Sequence, residues 1–278
     1  MEKEILKEPN YVEELLEIFR SNLSSEELLE RLDDYHDNDI AGALESMTPE
    51  ERKPLYSILG AEKISEIFAY IEDPDEYLQE ISLESAAKVI SHMDSDDAAD
   101  VLEEMDDDIQ EKLVELMDDE SSRDVQLILS YNDDEIGSAI TTNYIVIKNN
   151  LSIKGAMSEL VKQAGDNDNI STIYVVDADD KFYGAIDLKD LIIARRTSEL
   201  EDIISTSYPY VNDHEQISEC IERIKDYAED SIPVLSDDGK IVGIITAQDI
   251  VEVVDDEMGD DYAKFAGLTS EEDLKETT

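Results

Sequence analysis

A unit of sequence that occurs twice in the second half of the chain constrains the fold more than any other feature. Residues 173–192 and 232–251 align without a gap, and each copy carries a glycine, Gly184 or Gly243, at the same position. Short β-branched runs alternate with helical spacing, which predicts the order strand, helix, strand, turn, strand, helix in each copy. A glycine inside such a strand indicates close approach of a neighbouring segment. The sequence therefore predicts a paired α/β module of two βαββα repeats.

The first half of the chain has a different spacing of apolar residues. From residue 10 to about 131, apolar residues recur at spacings of three and four, which is typical of helices. Units that begin at Met93, Met105 and Met117 lie twelve residues apart, and each has room for one short helix and a turn. Helices this short are unstable alone, so they have to stack. We predict an all-α superhelix of short helices, with a capping box at Ser24 and a cap followed by a first-turn proline at Thr48.

The charge of the chain limits its partners. The sequence contains 73 acidic and 22 basic residues, a net charge of −51. A basic footprint for DNA, RNA or an anionic membrane is therefore not expected. Aspartates at the start of each twelve-residue unit, such as Asp106, are explained by helix capping. Capping does not explain nine acids without a base between Asp94 and Asp108, or six between Glu252 and Asp261. These densities indicate faces that meet a counter-charge.

Residues that usually carry catalytic chemistry are scarce. Cys220 is the single cysteine and there are three histidines, so neither an intrachain disulfide nor a classical zinc site is expected. No catalytic triad pattern or phosphate-binding glycine loop occurs, and the acidic loop at Asp177 lacks the glycine of an EF-hand. There is neither a signal peptide nor an apolar run of about 20 residues. We expect a soluble chain, as given, that is not an enzyme.

The duplicated unit resembles a CBS-domain pair. The resemblance lies in the repeated strand, turn, glycine and strand, followed in the second copy by Thr246-x-x-Asp249 at a helix start. CBS pairs often dimerise, and in members that bind adenine nucleotides this hydroxyl and aspartate hold ribose and phosphates. The resemblance implies Thr246 and Asp249 as candidate contacts to ATP or another adenine nucleotide, although both residues are equally suited to capping the helix. The first copy has Asp187 in place of the hydroxyl, which opposes a phosphate.

The whole chain is similar to the cytosolic part of MgtE-type magnesium channels. The most specific pieces are the acid-rich helix at 96–102, the 243–249 segment and the acids at 256–261. The resemblance implies an acidic helical domain over 1–134, CBS domains over 135–200 and 201–256, and a plug-like connecting helix with its tail over 257–278. It also implies a homodimer formed through the CBS domains. A membrane pore domain would follow at the cytoplasmic face of the cell membrane.

The same resemblance implies a set of magnesium ligands. An acid expected before the second copy's strand falls on Ala228, with Glu229 and Asp230 beside it. Magnesium prefers carboxylate oxygens and keeps several waters, so acidic faces on different domains suit it. The implied ligands are Glu66, Asp96, Asp100, Asp249, Glu252, Glu257, Asp260 and Asp261.

The predicted function is magnesium sensing. Mg²⁺ neutralises acids that face each other between the helical domain, the CBS pair and the exit helix, and so favours a compact state that closes the pore. Two alternatives stay open. A nucleotide sensor would bind ATP or AMP at the CBS pair, which calorimetry with and without magnesium would reveal. A salt-adapted acidic scaffold without a specific ligand would respond equally to sodium and magnesium at matched ionic strength.

Overall fold

The computed structural model describes residues 11–21, 23–165, 167–195, 198–225, 227 and 229–251. Its contacts divide the chain into two compact units. The N-terminal unit comprises residues up to Met93 together with Asp97–Arg123. The C-terminal unit comprises Asp94–Asp96 and the chain from Asp124 onward. The predicted exit helix lies almost wholly outside the described residues, so its bounds stay a prediction, as do the predicted domain boundaries.

The first half of the chain is helical, as predicted. The twelve-residue repeat is confirmed, since the last three helices of this half begin twelve residues apart, at Ser95, Asp107 and Asp119. No helix among the described residues is long and apolar enough to cross a bilayer. The helices are α1 (Tyr11–Phe19), α2 (Ser25–Leu32), α3 (Asp37–Glu45), α4 (Pro49–Phe68), α5 (Pro74–Leu78), α6 (Leu83–Ile90), α7 (Ser95–Glu103), α8 (Asp107–Leu116) and α9 (Asp119–Ile128).

Side-chain caps define where several of these helices begin. At α2 the Ser24 hydroxyl accepts from the Glu27 N–H at 3.3 Å, and the Glu27 carboxylate accepts from the Ser24 N–H at 2.9 Å. Thr48 is the N-cap of α4, as predicted, and the Glu51 carboxylate accepts from the Thr48 N–H at 3.0 Å. Asp118 caps α9 by accepting from two backbone N–H groups at 3.0 Å. Asp106 occupies the predicted N-cap position of α8, but its side chain makes no capping hydrogen bond.

Helix α4 is interrupted at Gly60. This residue has φ 80° and ψ 169°, a conformation that L side chains rarely adopt, and a substitution here would strain the backbone. The interruption changes the direction of the chain between the half of α4 that begins at Pro49 and the half that ends at Phe68. The periodicity of the sequence predicts helix on both sides of Gly60 but does not predict the break.

A buried arginine joins distant parts of the N-terminal unit. Arg52 is 8% exposed, and its guanidinium forms an ion pair with Glu80 and donates to the Leu44 carbonyl at 3.2 Å. It also lies 4.5 Å from the centre of the Tyr77 ring. Burial raises the pKa of Glu80, but hydrogen bonds from Arg52 and Tyr56 outweigh burial and the pKa is lowered. The pair therefore needs an ionised carboxylate.

The C-terminal unit contains two copies of one fold. In each, the first strand pairs parallel with the second, and the second pairs antiparallel with the third. A further helix begins at residue 247. The first copy contains β1 (Ile145–Lys148), α10 (Ile153–Gln163), β2 (Thr172–Val176), β3 (Phe182–Asp187) and α11 (Leu188–Ile193). The second copy contains β4 (Val211–Asn212), α12 (Ile217–Lys225), β5 (Ser231–Leu235) and β6 (Ile241–Thr246).

The duplication extends to the close contacts around the two predicted glycines. A Cβ on Gly184 would lie 2.5 Å from the Ser205 carbonyl oxygen, and a Cβ on Gly243 would lie 2.8 Å from Ile140. The contacts are crossed between the copies. The segment before the first copy bonds to β6 through Thr141, and the segment before the second copy bonds to β3 through Ser205. This exchange holds the two copies together as one pseudo-twofold module.

We expect Arg52→Met to lower the free energy of unfolding by about 3 kcal/mol, because it leaves the Glu80 carboxylate largely buried without its cation. Urea unfolding at neutral pH measures the change. Arg20→Met is the matched control, since the side chains of the Arg20–Glu51 pair are 53% and 35% exposed and its loss should lower the free energy of unfolding much less.

The pH dependence gives a second readout of the same pair. Because the folded-state pKa of Glu80 is lowered, its contribution is present above the ordinary glutamate pKa and is lost as pH falls through the lowered value. The difference between parent and Arg52→Met should shrink below that pH. An equal cost for Arg52→Met and Arg20→Met would contradict the importance given to this buried pair.

Candidate functional site

Helix α7 carries two of the predicted magnesium ligands, Asp96 and Asp100. They lie four residues apart, so both carboxylates fall on one side of the helix. The other side packs into the core through Ala98, Ala99 and Leu102, each at most 2% exposed. Asp100 is exposed and Asp96 is half-buried. The acids are thus presented by a helix whose apolar residues fix it in place.

The start of α7 belongs to the C-terminal unit and the rest belongs to the N-terminal unit. Within the C-terminal unit, Asn143 donates its side-chain amide to Asp94 at 2.7 Å, and the Thr142 N–H donates to the Ser95 hydroxyl at 2.9 Å. Asp96 therefore belongs to the C-terminal unit and Asp100 to the N-terminal unit. These two hydrogen bonds hold the start of α7, directly before the predicted ligand Asp96.

Glu66 lies in the half of α4 that follows Gly60. Its side chain is 51% exposed and accepts from the Lys63 ammonium at 2.9 Å. The same ammonium lies 2.7 Å from the Asp37 carboxylate at the start of α3. Burial lowers the pKa of Lys63, but the bonds to Asp37 and Glu66 outweigh it and the pKa is raised. A cavity of about 610 Å³ borders Lys63 and Glu66.

Thr246 and Asp249 cap the last described helix. The Asp249 carboxylate accepts from the Thr246 N–H at 2.7 Å, and the Thr246 hydroxyl accepts from the Asp249 N–H at 3.3 Å. The capping interpretation of this motif is confirmed. In the first copy Asp187 takes the equivalent place and accepts from the Lys189 N–H at 2.7 Å. A role for Thr246 and Asp249 toward a nucleotide stays a prediction.

A cleft of about 730 Å³ lies beside the first copy. Four carboxylates line it, from Asp187, Asp190, Glu229 and Asp230, together with the ammonium of Lys189. Such a lining favours a cation over a bare polyphosphate. The sequence indicated Asp187 but did not predict that the other three acids share its cleft. The available signal was the position of Glu229 and Asp230 directly before the second copy's central strand, beside Ala228.

Tyr208 also lines this cleft, and its hydroxyl is hydrogen-bonded. Its hydroxyl donates to the Ser231 carbonyl at 2.8 Å, which joins the segment between the copies to the start of β5. Burial raises the pKa of Tyr208, so the phenol stays protonated and continues to donate. The volume is in the range of small-ligand pockets. The cleft can therefore hold a ligand of nucleotide size if that ligand brings or meets positive charge.

The predicted metal ligands do not form a preformed cluster among the described residues. Within the described part of the chain, no three His, Cys, Asp or Glu side chains come close enough together to hold a metal ion. Carboxylate oxygens nevertheless fit the chemistry of magnesium, which needs few direct protein ligands. The ligand roles of Glu66, Asp96, Asp100 and Asp249 stay predictions. Four further predicted ligands lie outside the described residues, namely Glu252, Glu257, Asp260 and Asp261.

Comparison with known proteins identifies the two halves of the chain. Residues 35–134 match the MgtE intracellular N domain, and residues 135–196 and 200–256 match the CBS domain. The magnesium transporter MgtE of Enterococcus faecalis is 37% identical over 232 residues, which cover 82% of this chain and 51% of that protein. The chain belongs to the MgtE family. The Bacillus subtilis MgtE magnesium transporter is 30% identical over 240 residues, covering 84% of this chain and 52% of its own length.

Solved structures agree with this assignment. The crystal structure of the soluble part of a magnesium transporter superposes with a TM-score of 0.83 at 28% identity, covering 89% of this chain and 98% of that one. The cytosolic domain of the Mg²⁺ channel MgtE in complex with ATP gives a TM-score of 0.74 at 26% identity, covering 83% and 95%. The predicted fold class, a helical domain followed by a CBS pair, is confirmed. The chain spans about half the length of the two curated relatives described above.

Proposed function

We propose that this chain is the magnesium-sensing regulatory region of a magnesium transporter or channel. Mg²⁺ would bridge acidic faces between the helical domain, the CBS pair and the exit helix, and the bridged state would be the closed one. The observation that supports this most directly is that Asp96 and Asp100 share one side of α7, while Ala98, Ala99 and Leu102 on its other side are buried in the core. The relatives named as magnesium transporters support the choice of ion.

Electrostatics supplies the driving force for such a sensor. A chain with net charge −51 repels itself, and carboxylates that approach each other need a counter-charge. A small divalent ion supplies two charges in one place and tolerates bridging waters. Several weak sites that act on one equilibrium together provide the roughly 5.5 kcal/mol that moves a population from 1:99 to 99:1.

The proposal extends to the intact protein. A membrane pore domain would follow this chain, and the region would act as a homodimer at the cytoplasmic face of the membrane. Large apolar side chains on the module support dimer formation, because Ile192, Ile193 and Val251 are 62%, 66% and 59% exposed. Burying them against a second copy would remove this apolar surface from water.

The proposal predicts that magnesium contracts the full chain. Small-angle scattering during a magnesium titration at constant ionic strength should show a decreasing radius of gyration. Asp96→Ala, Asp249→Ala and Asp260→Ala should each move the transition to higher magnesium, because each removes a proposed ligand. Asp107→Ala is the matched control, since it removes an exposed acid from the neighbouring helix α8.

Sodium at the same ionic strength separates this function from a salt-adapted scaffold. The proposal requires little contraction in sodium, since monovalent ions screen the acids without bridging them. Equal contraction in sodium and magnesium would favour the scaffold. Dimensions that do not change with magnesium would contradict the sensor.

Adenine-nucleotide sensing is a second candidate function. It is supported by the ATP complex of a similar cytosolic domain and by the cleft of about 730 Å³. The four carboxylates in this cleft oppose a bare polyphosphate, so a nucleotide should bind here mainly as its magnesium complex. In the first copy Asp187 replaces the hydroxyl residue of the CBS motif, which is Thr246 in the second copy.

We expect Asp187→Thr to tighten nucleotide binding by about tenfold, because it removes one negative charge that faces the phosphates. Calorimetric titration of ATP with and without magnesium measures this. Asp179→Thr, on the exposed turn between β2 and β3, is the matched control. No heat of binding in the parent or in Asp187→Thr would remove the nucleotide function from the first copy.

A further inference from the structure

The proposed ligand Glu66 already has a cation beside it. The Lys63 ammonium lies 2.9 Å from the Glu66 carboxylate and 2.7 Å from the Asp37 carboxylate. Lys63 and Glu66 are three residues apart on α4, so they share a helix face, while Asp37 belongs to the first turn of α3. One ammonium thus neutralises two carboxylates on different helices.

Lys63 is held more firmly than Glu66. The lysine side chain is 31% exposed and the Asp37 side chain 23% exposed, whereas Glu66 is 51% exposed. The ion pair with Asp37 is therefore the better shielded of the two, and the contact with Glu66 faces solvent. If Glu66 exchanges the ammonium for another cation, Lys63 keeps its half-buried partner Asp37. This exchange leaves neither charge without compensation.

We infer that Lys63 is a tethered competitor of magnesium at Glu66 and sets the magnesium concentration at which the helical unit responds. The inference rests on the proposed function, because it takes Glu66 as a magnesium ligand. A doubly charged ion about 6 Å from a retained ammonium loses roughly tenfold in affinity even at the dielectric constant of water. Without Lys63 the same site would bind magnesium at lower concentration.

Magnesium titration of the full chain by calorimetry, at constant ionic strength, tests this. Lys63→Met should bind about tenfold more tightly than the parent, because the competing charge is gone. Lys63→Gln, which keeps a polar end group beside the cavity, should give the same gain. Lys63→Arg keeps the charge and should retain the parent affinity. Lys53→Met is the matched control, since it removes an exposed lysine from the same helix.

A Glu66→Gln background shows whether the gain depends on the proposed contact. The effect of Lys63→Met should disappear there, because the two residues are coupled through one site. A parent chain that binds no magnesium would contradict the proposed function itself. Magnesium binding in the parent, with equal shifts for Lys63→Met and Lys53→Met, would overturn only the competitor. A gain in magnesium affinity on Lys63→Met that persists in the Glu66→Gln background would also overturn the competitor role of Lys63. Thermal melting verifies that each variant is folded.

Discussion

Repulsion between carboxylates is the constraint that the rest of this chain has to accommodate. Some acids are used locally, where backbone N–H groups stabilise them, as at Glu27 and Asp118. Two of the scarce bases each satisfy several groups: Arg52 bonds to Glu80 and to the Leu44 carbonyl, and Lys63 contacts two carboxylates. The acids of α7 are the remaining case. In our account, their repulsion is what makes the ion a condition for bringing acidic faces together.

The duplicated half of the fold was predictable because one sequence pattern occurs twice, at residues 173–192 and 232–251. Equal spacing placed Gly184 and Gly243 at equivalent positions, and the structure puts a crossing segment against each. The twelve-residue repeat likewise predicted the starts of α7, α8 and α9. Both predictions depend on local periodicity, which secondary structure follows closely. The family resemblance added the order of the domains.

Features that join distant residues were not predictable. The break at Gly60 is a single backbone choice inside a helical pattern, and the Arg52–Glu80 pair connects positions that no local spacing relates. The anionic cleft is of the same kind, since Asp187 and Glu229 meet only through the crossed packing of the two copies. Asp106 stands at the N-cap position of α8 without a capping hydrogen bond from its side chain, which the residue type alone does not predict. Contacts between residues distant in sequence decide the ion pair and the cleft, and local spacing contains no direct record of them.

We propose that magnesium acts specifically on the acidic side of α7. Hydrogen exchange along α7 tests this most directly, in magnesium and in sodium at the same ionic strength. The account predicts slower exchange over Ser95–Glu103 in magnesium, because an ion held by Asp96 and Asp100 disfavours opening of the helix. Equal protection in both salts, or none in either, would contradict it.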